Sequence, residues 1–218
     1  MPNLFRPSVG AIALALTLAV IDDAVAQPHL YPGSPSGYAS DTSNPLDGVG
    51  DAAGPKGLAI EMFFNGVDAD PGAVGDRRGV FEVDLSSLVG QELASALLEF
   101  EVYSSNTAHP VNIYLYGGDG LITAADYGRT ANLVFSGVLD DPTPVFSLTP
   151  EVQAILDGGN PWVGVLIGMT VEDQTLAIYN TGYGATDPRF NIKVVPEPAT
   201  LVLAGLISLF AVARRRRR

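Results

Sequence analysis

The sequence predicts an all-β domain: an antiparallel two-sheet sandwich of jelly-roll type with one short helix, set between an N-terminal signal helix and a C-terminal transmembrane helix. Three observations predict it. Short runs VFEVDL (Val80 to Leu85), LLEFEVY (Leu97 to Tyr103) and VNIYLY (Val111 to Tyr116) alternate apolar and polar residues, the period of a half-buried antiparallel strand. Turn formers are frequent, with 24 Gly and 16 Pro in 218 residues, while only 17% of residues are charged. WVGVLIGM (Trp162 to Met169) is apolar without alternation, as a central strand covered on both faces would be.

The chain divides into four segments. Residues 1–26 form a signal peptide: Arg6 supplies the positive start, Val9 to Ile21 the apolar stretch, and Ala24-Val25-Ala26 the small-x-small cleavage site. Residues 27–57 are rich in Pro, Gly, Ser and Asp and show no apolar period, so they are expected to be a surface arm pinned by Tyr31, Tyr38 and Leu46. Residues 58–195 form the sandwich. LAIEMFF (Leu58 to Phe64) is its first strand. In the alternating runs, Phe81, Val83 and Leu85, then Leu98, Phe100 and Val102, then Val111, Ile113 and Leu115 should face the core, with Glu82, Asp84, Glu99 and Glu101 turned outward. LVFSGVL (Leu133 to Leu139) and VFSL (Val145 to Leu148) follow. TPEVQAIL then reads as the one helix, with Thr149 as N-cap, Pro150 at the first helical position and Asp157-Gly158-Gly159 as its stop. TLAIYN (Thr175 to Asn180) and FNIKVV (Phe190 to Val195) complete eight or nine strands.

Residues 196–218 are not fold material. Ala199 to Ala213 carries no charge; as a helix it spans about 22 Å, short of a roughly 30 Å hydrocarbon core, and the five arginines Arg214, Arg215, Arg216, Arg217 and Arg218 extend its reach by snorkelling. Those arginines stay cytoplasmic. Pro196 and Pro198 flank Glu197 and keep the backbone ahead of the span extended and without donors. Pro-Glu-Pro, an apolar helix and an Arg cluster, in that order, resemble the PEP-CTERM sorting signal of Gram-negative bacteria. The resemblance implies an exosortase as partner, transient anchoring in the cytoplasmic membrane, cleavage near Pro196, Glu197 and Pro198, and a destination at the cell surface or outside it. The body also resembles exported DNRLRE-type β-sandwich domains in RGVFEVDLSSL (Arg78 to Leu88), ALLEFEVY (Ala96 to Tyr103), VFSLTPEVQAIL (Val145 to Leu156) and WVGVL (Trp162 to Leu166). These are core and turn positions, so the resemblance implies a fold and no chemistry.

Charge and residue inventory limit the function. From Gln27 to Val195 there are 21 acidic and six basic residues, a net −15, which repels phosphate backbones and excludes nucleic acid as a partner. The chain has no cysteine, so thiol chemistry and disulfides are excluded. Its two histidines, His29 in the arm and His109 in a hairpin loop, have no metal-type spacing. No catalytic residue and no required cofactor are expected. Calcium is the one candidate ion. Asp119 and Asp126 match the second half of a calcium loop, D-x-[DN]-x-[DN]-G-x₅-E, with Leu115 and Gly117 where the first two acidic ligands belong. Asp68, Asp70 and Asp76 bracket a Gly/Pro loop and form a second acidic candidate; a Gly-Gly-Asp-Gly turn followed by a polar bend is the simpler reading of the first, and solvated loop acids of the second. Tyr114, Tyr116, Tyr179 and Tyr183 would stack on sugar rings if exposed together, and would otherwise cover a sheet face. The leading expectation is a non-catalytic surface or extracellular-matrix protein, with exopolysaccharide as a candidate partner. A carbohydrate-binding module, calcium-assisted or not, is the alternative, and a glycoside hydrolase the third reading.

Overall fold

The structure is a computed structural model and describes residues 28–41, 49–55, 59–67, 74–102, 108–129, 131–171, 175–179 and 187–196. The chain divides into two units, residues 1–28 with 193–218, and His29–Ile192, which holds the sandwich. The signal segment 1–26 and the apolar run 199–213 lie outside the described residues. Among the described residues no helix is long and apolar enough to cross a membrane.

Twelve strands are described: β1 His29–Pro32, β2 Ser36–Asp41, β3 Ala52–Pro55, β4 Ala59–Val67, β5 Val74–Asp84, β6 Leu93–Glu99, β7 His109–Gly117, β8 Asn132–Leu139, β9 Val145–Ser147, β10 Trp162–Met169, β11 Thr175–Tyr179 and β12 Arg189–Val194. They form two antiparallel sheets, as the alternation predicts. The smaller has the order β1-β12-β6-β9; the larger runs β11-β4-β5-β10-β7-β8, with β2 added on β5 and β3 on β2. The single described α-helix, α1, spans Thr149–Asp157, and two 3₁₀ turns span Ser86–Leu88 and Ala124–Gly128.

The core follows the period-two reading. Phe81, Val83 and Leu85 on β5 and its end, Val111, Ile113 and Leu115 on β7, and Val163, Val165 and Ile167 on β10 are all fully buried. Each such side chain contributes about 1.5–3 kcal/mol relative to exposure. β10 lies between β5 and β7, and Val163 to Met169 are buried without a break, which explains its missing alternation. Phe100 stacks on Phe146 of β9 at 6.0 Å between ring centroids, and Phe135 of β8 meets the same ring tilted, at 4.9 Å.

Four expectations need correction. Residues 27–57 are not a loop-dominated arm, because three strands arise there. β1 pairs with β12 from His29↔Ile192 to Pro32↔Arg189, and β2 pairs with β5 from Ser36↔Phe81 to Asp41↔Asp76. Their sequences, HLYP and SGYASD, are short or built of small residues, which lie flat on a neighbouring strand and leave no apolar period to detect. β12 consequently lies between β1 and β6. β6 ends at Glu99, earlier than the expected strand to Tyr103, although Phe100 and Val102 are buried as expected. There the backbone changes partner: Val102 bridges Ile178 of β11, and the Tyr179 amide donates to the Glu101 carbonyl. Thr149 is the first residue of α1 and not its cap; its hydroxyl accepts from the Ala96 amide at 2.9 Å, tying the helix to β6. His109 opens β7 and is buried, opposite Leu139 of β8.

Candidate functional site

The chemistry of the described residues gathers on the face of the larger sheet turned away from the main core. Register places three rows across β5, β10 and β7: Glu82–Gly164–Tyr116, then Val80–Leu166–Tyr114, then Arg78 beside Gly168–Asn112. Val80, Leu166, Tyr116, Tyr127 and Ala39 pack into a second apolar cluster on this face, with Tyr114, Ile122 and Ala131 against it. The segment after β7 therefore folds back over the sheet. Glu82 was expected in solvent; it points to the expected face, yet it is fully buried under that segment.

At the Glu82 end the face is closed. Gly164 has no side chain, and the Tyr116 ring lies across it: a Cβ there would come within 2.2 Å of Tyr116 Cζ. The Glu82 carboxylate accepts from the backbone amides of Asp119 at 3.0 Å and Gly120 at 2.5 Å. Gly120 adopts φ +82°, and a Cβ on Gly118 would lie 2.7 Å from the Glu82 carboxyl carbon, so both glycines let the loop close on the acid. Burial pushes the Glu82 pKa up, and the Gly120 amide, the Tyr116 hydroxyl and the Asp119 amide pull it part of the way back. The Tyr116 phenol is raised by burial and by the Glu82 and Asp126 carboxylates.

Arg129 locks this end. Its guanidinium pairs with Asp119 and, at 2.6 Å, with the fully buried Asp126. It also donates to the Gly117 carbonyl at 3.1 Å and lies 5.3 Å from the Tyr116 ring centroid. Asp126 accepts from the Thr123 amide and hydroxyl at 2.6 and 3.2 Å, capping the 3₁₀ turn. The hydrogen bond from Arg129 holds the Asp119 carboxyl below its usual pKa. The two acids of the half calcium loop are thus brought together, and the cation between them is a guanidinium.

The other end is open. Tyr127 donates to Asp76 at 2.5 Å, and Arg78 Nε reaches the same oxygen at 3.3 Å. Arg78 also donates to the Tyr127 carbonyl at 2.9 Å and covers its ring at 4.1 Å. Burial raises the Asp76 pKa; Tyr127 and Arg78 oppose the rise, and Asp41, opposite on β2, adds to it. Beside this pair lies a depression of about 210 Å³, lined by Asp76, Arg78, Asn112, Tyr114, Gly168 and Thr170 among others.

The other expected site residues are scattered. Asp76 stands apart from Asp119 and Asp126, and Asp68 and Asp70 lie outside the described residues. Among the described residues no three His, Cys, Asp or Glu side chains are grouped to hold a metal. Tyr114 is half-buried at the depression and Tyr116 is buried beneath the loop. Tyr179 ends β11, four strands away from β7 in the sheet order, and Tyr183 lies outside the described residues. Glu82, Arg78, Asn112 and Arg129 were not singled out from the sequence. The signal that marks their face is the pair of glycines four residues apart in WVGVLIGM, which leaves two side-chain gaps on one side of a central strand.

Comparison with known families decides the C-terminus. The PEP-CTERM protein-sorting motif matches residues 194–218. The chain carries a PEP-CTERM sorting signal. That signal marks an exported protein, anchored through its C-terminus before an exosortase processes it. Pro196 is the last described residue of the signal; Glu197, Pro198 and Arg214 to Arg218 lie beyond the described residues. No curated protein matches the chain.

Proposed function

We propose that this PEP-CTERM protein is a non-catalytic module of the cell surface or extracellular matrix, delivered there when its tail is removed. The observation that carries this reading is the joint between body and signal. β12 ends at Val194, the first residue of the matched motif, and Pro196 follows two residues later. Cleavage near the Pro-Glu-Pro therefore leaves every described strand of the sandwich whole. The buried carboxylates support a structural role: Glu82 is fixed by two amides, Asp126 by a cap and Arg129, and Asp76 by Tyr127 and Arg78. Each is tied to fixed donors.

The test is expression of the full chain in a Gram-negative host with and without its exosortase, followed by the mass of the C-terminal peptide and cell fractionation. The expected result is loss of Arg214–Arg218 and appearance outside the cytoplasmic membrane only when the exosortase is present. A surface or released chain that keeps its terminal arginines overturns the reading. An exopolysaccharide partner is a second proposal, favoured by the open depression at Arg78.

A further inference from the structure

We propose that β8 is a self-association edge: two copies of this chain pair antiparallel along β8 and join their larger sheets across a two-fold axis. β8 ends the larger sheet, and among the described residues it pairs only with β7. Sheets blunt such edges with charge, proline or short length. The other described end strands are blunted. β1 and β3 have four residues each and end in Pro32 and Pro55, and β9 has three. β11 meets Val102 on its far side through the bridge to Ile178. β8 has eight residues, and NLVFSGVL contains neither charge nor proline. Its one irregularity is the register shift opposite Ile113 and Tyr114, beyond which Phe135 to Leu139 run one to one against Ile113 to His109.

The edge is also apolar. Leu133 and Val138 lie opposite Tyr114 and Pro110, on the outer face, and are 54% and 52% exposed. Phe135 touches Phe146 of β9, so the end strands of both sheets meet on one rim, where Val145 adds a third exposed apolar side chain. A two-fold axis through the middle of β8 keeps the outer faces of both copies on one side of the joined sheet. The Leu133–Val138 stripes then become continuous.

Charge selects a second copy as the occupant. The body carries a net −15, so two copies repel over most of their surface. Between Arg129 and Asp140 there is no charge. Antiparallel pairing holds the Asp140–Asp141 pairs of the two copies at opposite ends, each beside the Arg129 end of the other strand. Arg129 keeps 27% of its side chain exposed after pairing with Asp119 and Asp126. This proposal rests on the matrix-module reading for its setting but fails separately from it: processing is read from the C-terminal mass, pairing from the mass of the particle in solution.

The experiment is sedimentation equilibrium of the full chain in a density-matched detergent, with micelles in large excess over protein. A monomer–dimer equilibrium with a Kd on the order of 10 μM is expected. Leu133→Lys and Val138→Lys each place a charge on the stripe and should raise that Kd about tenfold or more. The melting temperature should hold, because both side chains are more than half exposed. Lysine also lowers the net negative charge, so a weaker dimer cannot come from general repulsion. In this cysteine-free chain, Ser136→Cys on the exposed face of β8 should cross-link to a dimer with a short bismaleimide. Ser87→Cys, exposed in the turn after β5, should not. A chain that stays monomeric at about 100 μM leaves the edge to a strand of another protein and overturns the proposal. Equal cross-linking of both cysteines, or a dimer indifferent to both lysines, overturns it as well.

Discussion

The two ends of the outer face use the same three strands and the same central residue, yet one is packed shut and the other is open. At Gly164 the gap is filled from β7: Tyr116 swings across it towards Glu82, and the loop at Gly118–Gly120 seals the acid beneath two amides. At Gly168 the residue on β7 is Asn112, and the Arg78 side chain runs past the glycine at ordinary contact distance, beside a depression open to solvent. A glycine in a central strand is therefore not one signal but two. What its β7 neighbour can reach decides whether it serves packing or leaves room for a ligand.

The strongest way to break this contrast is Gly164→Ala. A methyl placed 2.2 Å from Tyr116 Cζ cannot coexist with the ring, so Tyr116 must leave its buried place. Overpacking together with eviction of an aromatic side chain costs about 3 kcal/mol or more, a fall in melting temperature of roughly 6–12 °C for a domain of this size. Adding Tyr116→Ala to the same chain should recover part of the overpacking loss, because the clash is gone. A double-mutant cycle by thermal denaturation measures that coupling, and strict additivity would refute the crossing geometry.

Arg129→Ala comes next. It leaves Asp126, fully buried, without its guanidinium, and breaking a buried pair from one side typically costs about 3–5 kcal/mol. Arg129 is partly exposed and Thr123 still donates to Asp126, so about 2–3 kcal/mol is expected here. Asp126→Asn in the same background should restore stability. Chemical denaturation of the parent, the single variant and the double variant checks both statements.

Much of the fold was legible because period-two alternation depends only on which side of a strand meets the core. Phe81, Val83, Leu85, Val111, Ile113 and Leu115 were readable for that reason. What was not legible comes from segments that return to cover a face. Glu82 alternates outward like Asp84 and is sequence-identical to a solvated acid; its burial depends on a loop 36 residues further on. Asp119 and Asp126 looked like calcium ligands because the partner that occupies them, Arg129, stands outside the motif that was compared. β1 and β2 were hidden by composition: SGYASD pairs along β5 through its backbone, which small polar residues allow and hydropathy does not record.

A smaller effect is shared by the two ends and is read by pH. Burial raises the pKa of both Glu82 and Asp76 above the unfolded values. The folded state therefore holds these protons more tightly than the unfolded chain. The associated stability is complete below the ordinary carboxylate pKa, about 4, and is lost as the pH rises through the folded values. Asp119 has the opposite sign, losing its contribution as the pH falls through its depressed pKa, but its side chain is 48% exposed and counts for less. The melting temperature should thus rise as the pH is lowered from 7 into the acid carboxylate range. Glu82→Gln keeps an acceptor for both amides and removes the buried charge, so it should flatten this rise. A melting series that keeps its slope in Glu82→Gln would move the effect to Asp76 or to the general charge of the body.

The smallest predicted change is also the most discriminating. Gly168→Ala introduces the same methyl as Gly164→Ala, on the same strand and the same face, four residues away. Here its nearest neighbours are Arg78 Cγ, Cδ and Nε at 3.6 to 3.8 Å, ordinary contact distances. Replacing glycine in a strand also narrows the unfolded ensemble, a gain of about 0.4–1 kcal/mol where the backbone is compatible. The two variants should therefore diverge: Gly164→Ala strongly destabilised, Gly168→Ala within about 1 kcal/mol of the parent and neutral or slightly more stable by thermal denaturation. Equal losses at both sites would mean that the strand tolerates no side chain anywhere on this face. A loss at Gly168 alone would mean that the open end is the packed one, reversing the contrast between the two glycines.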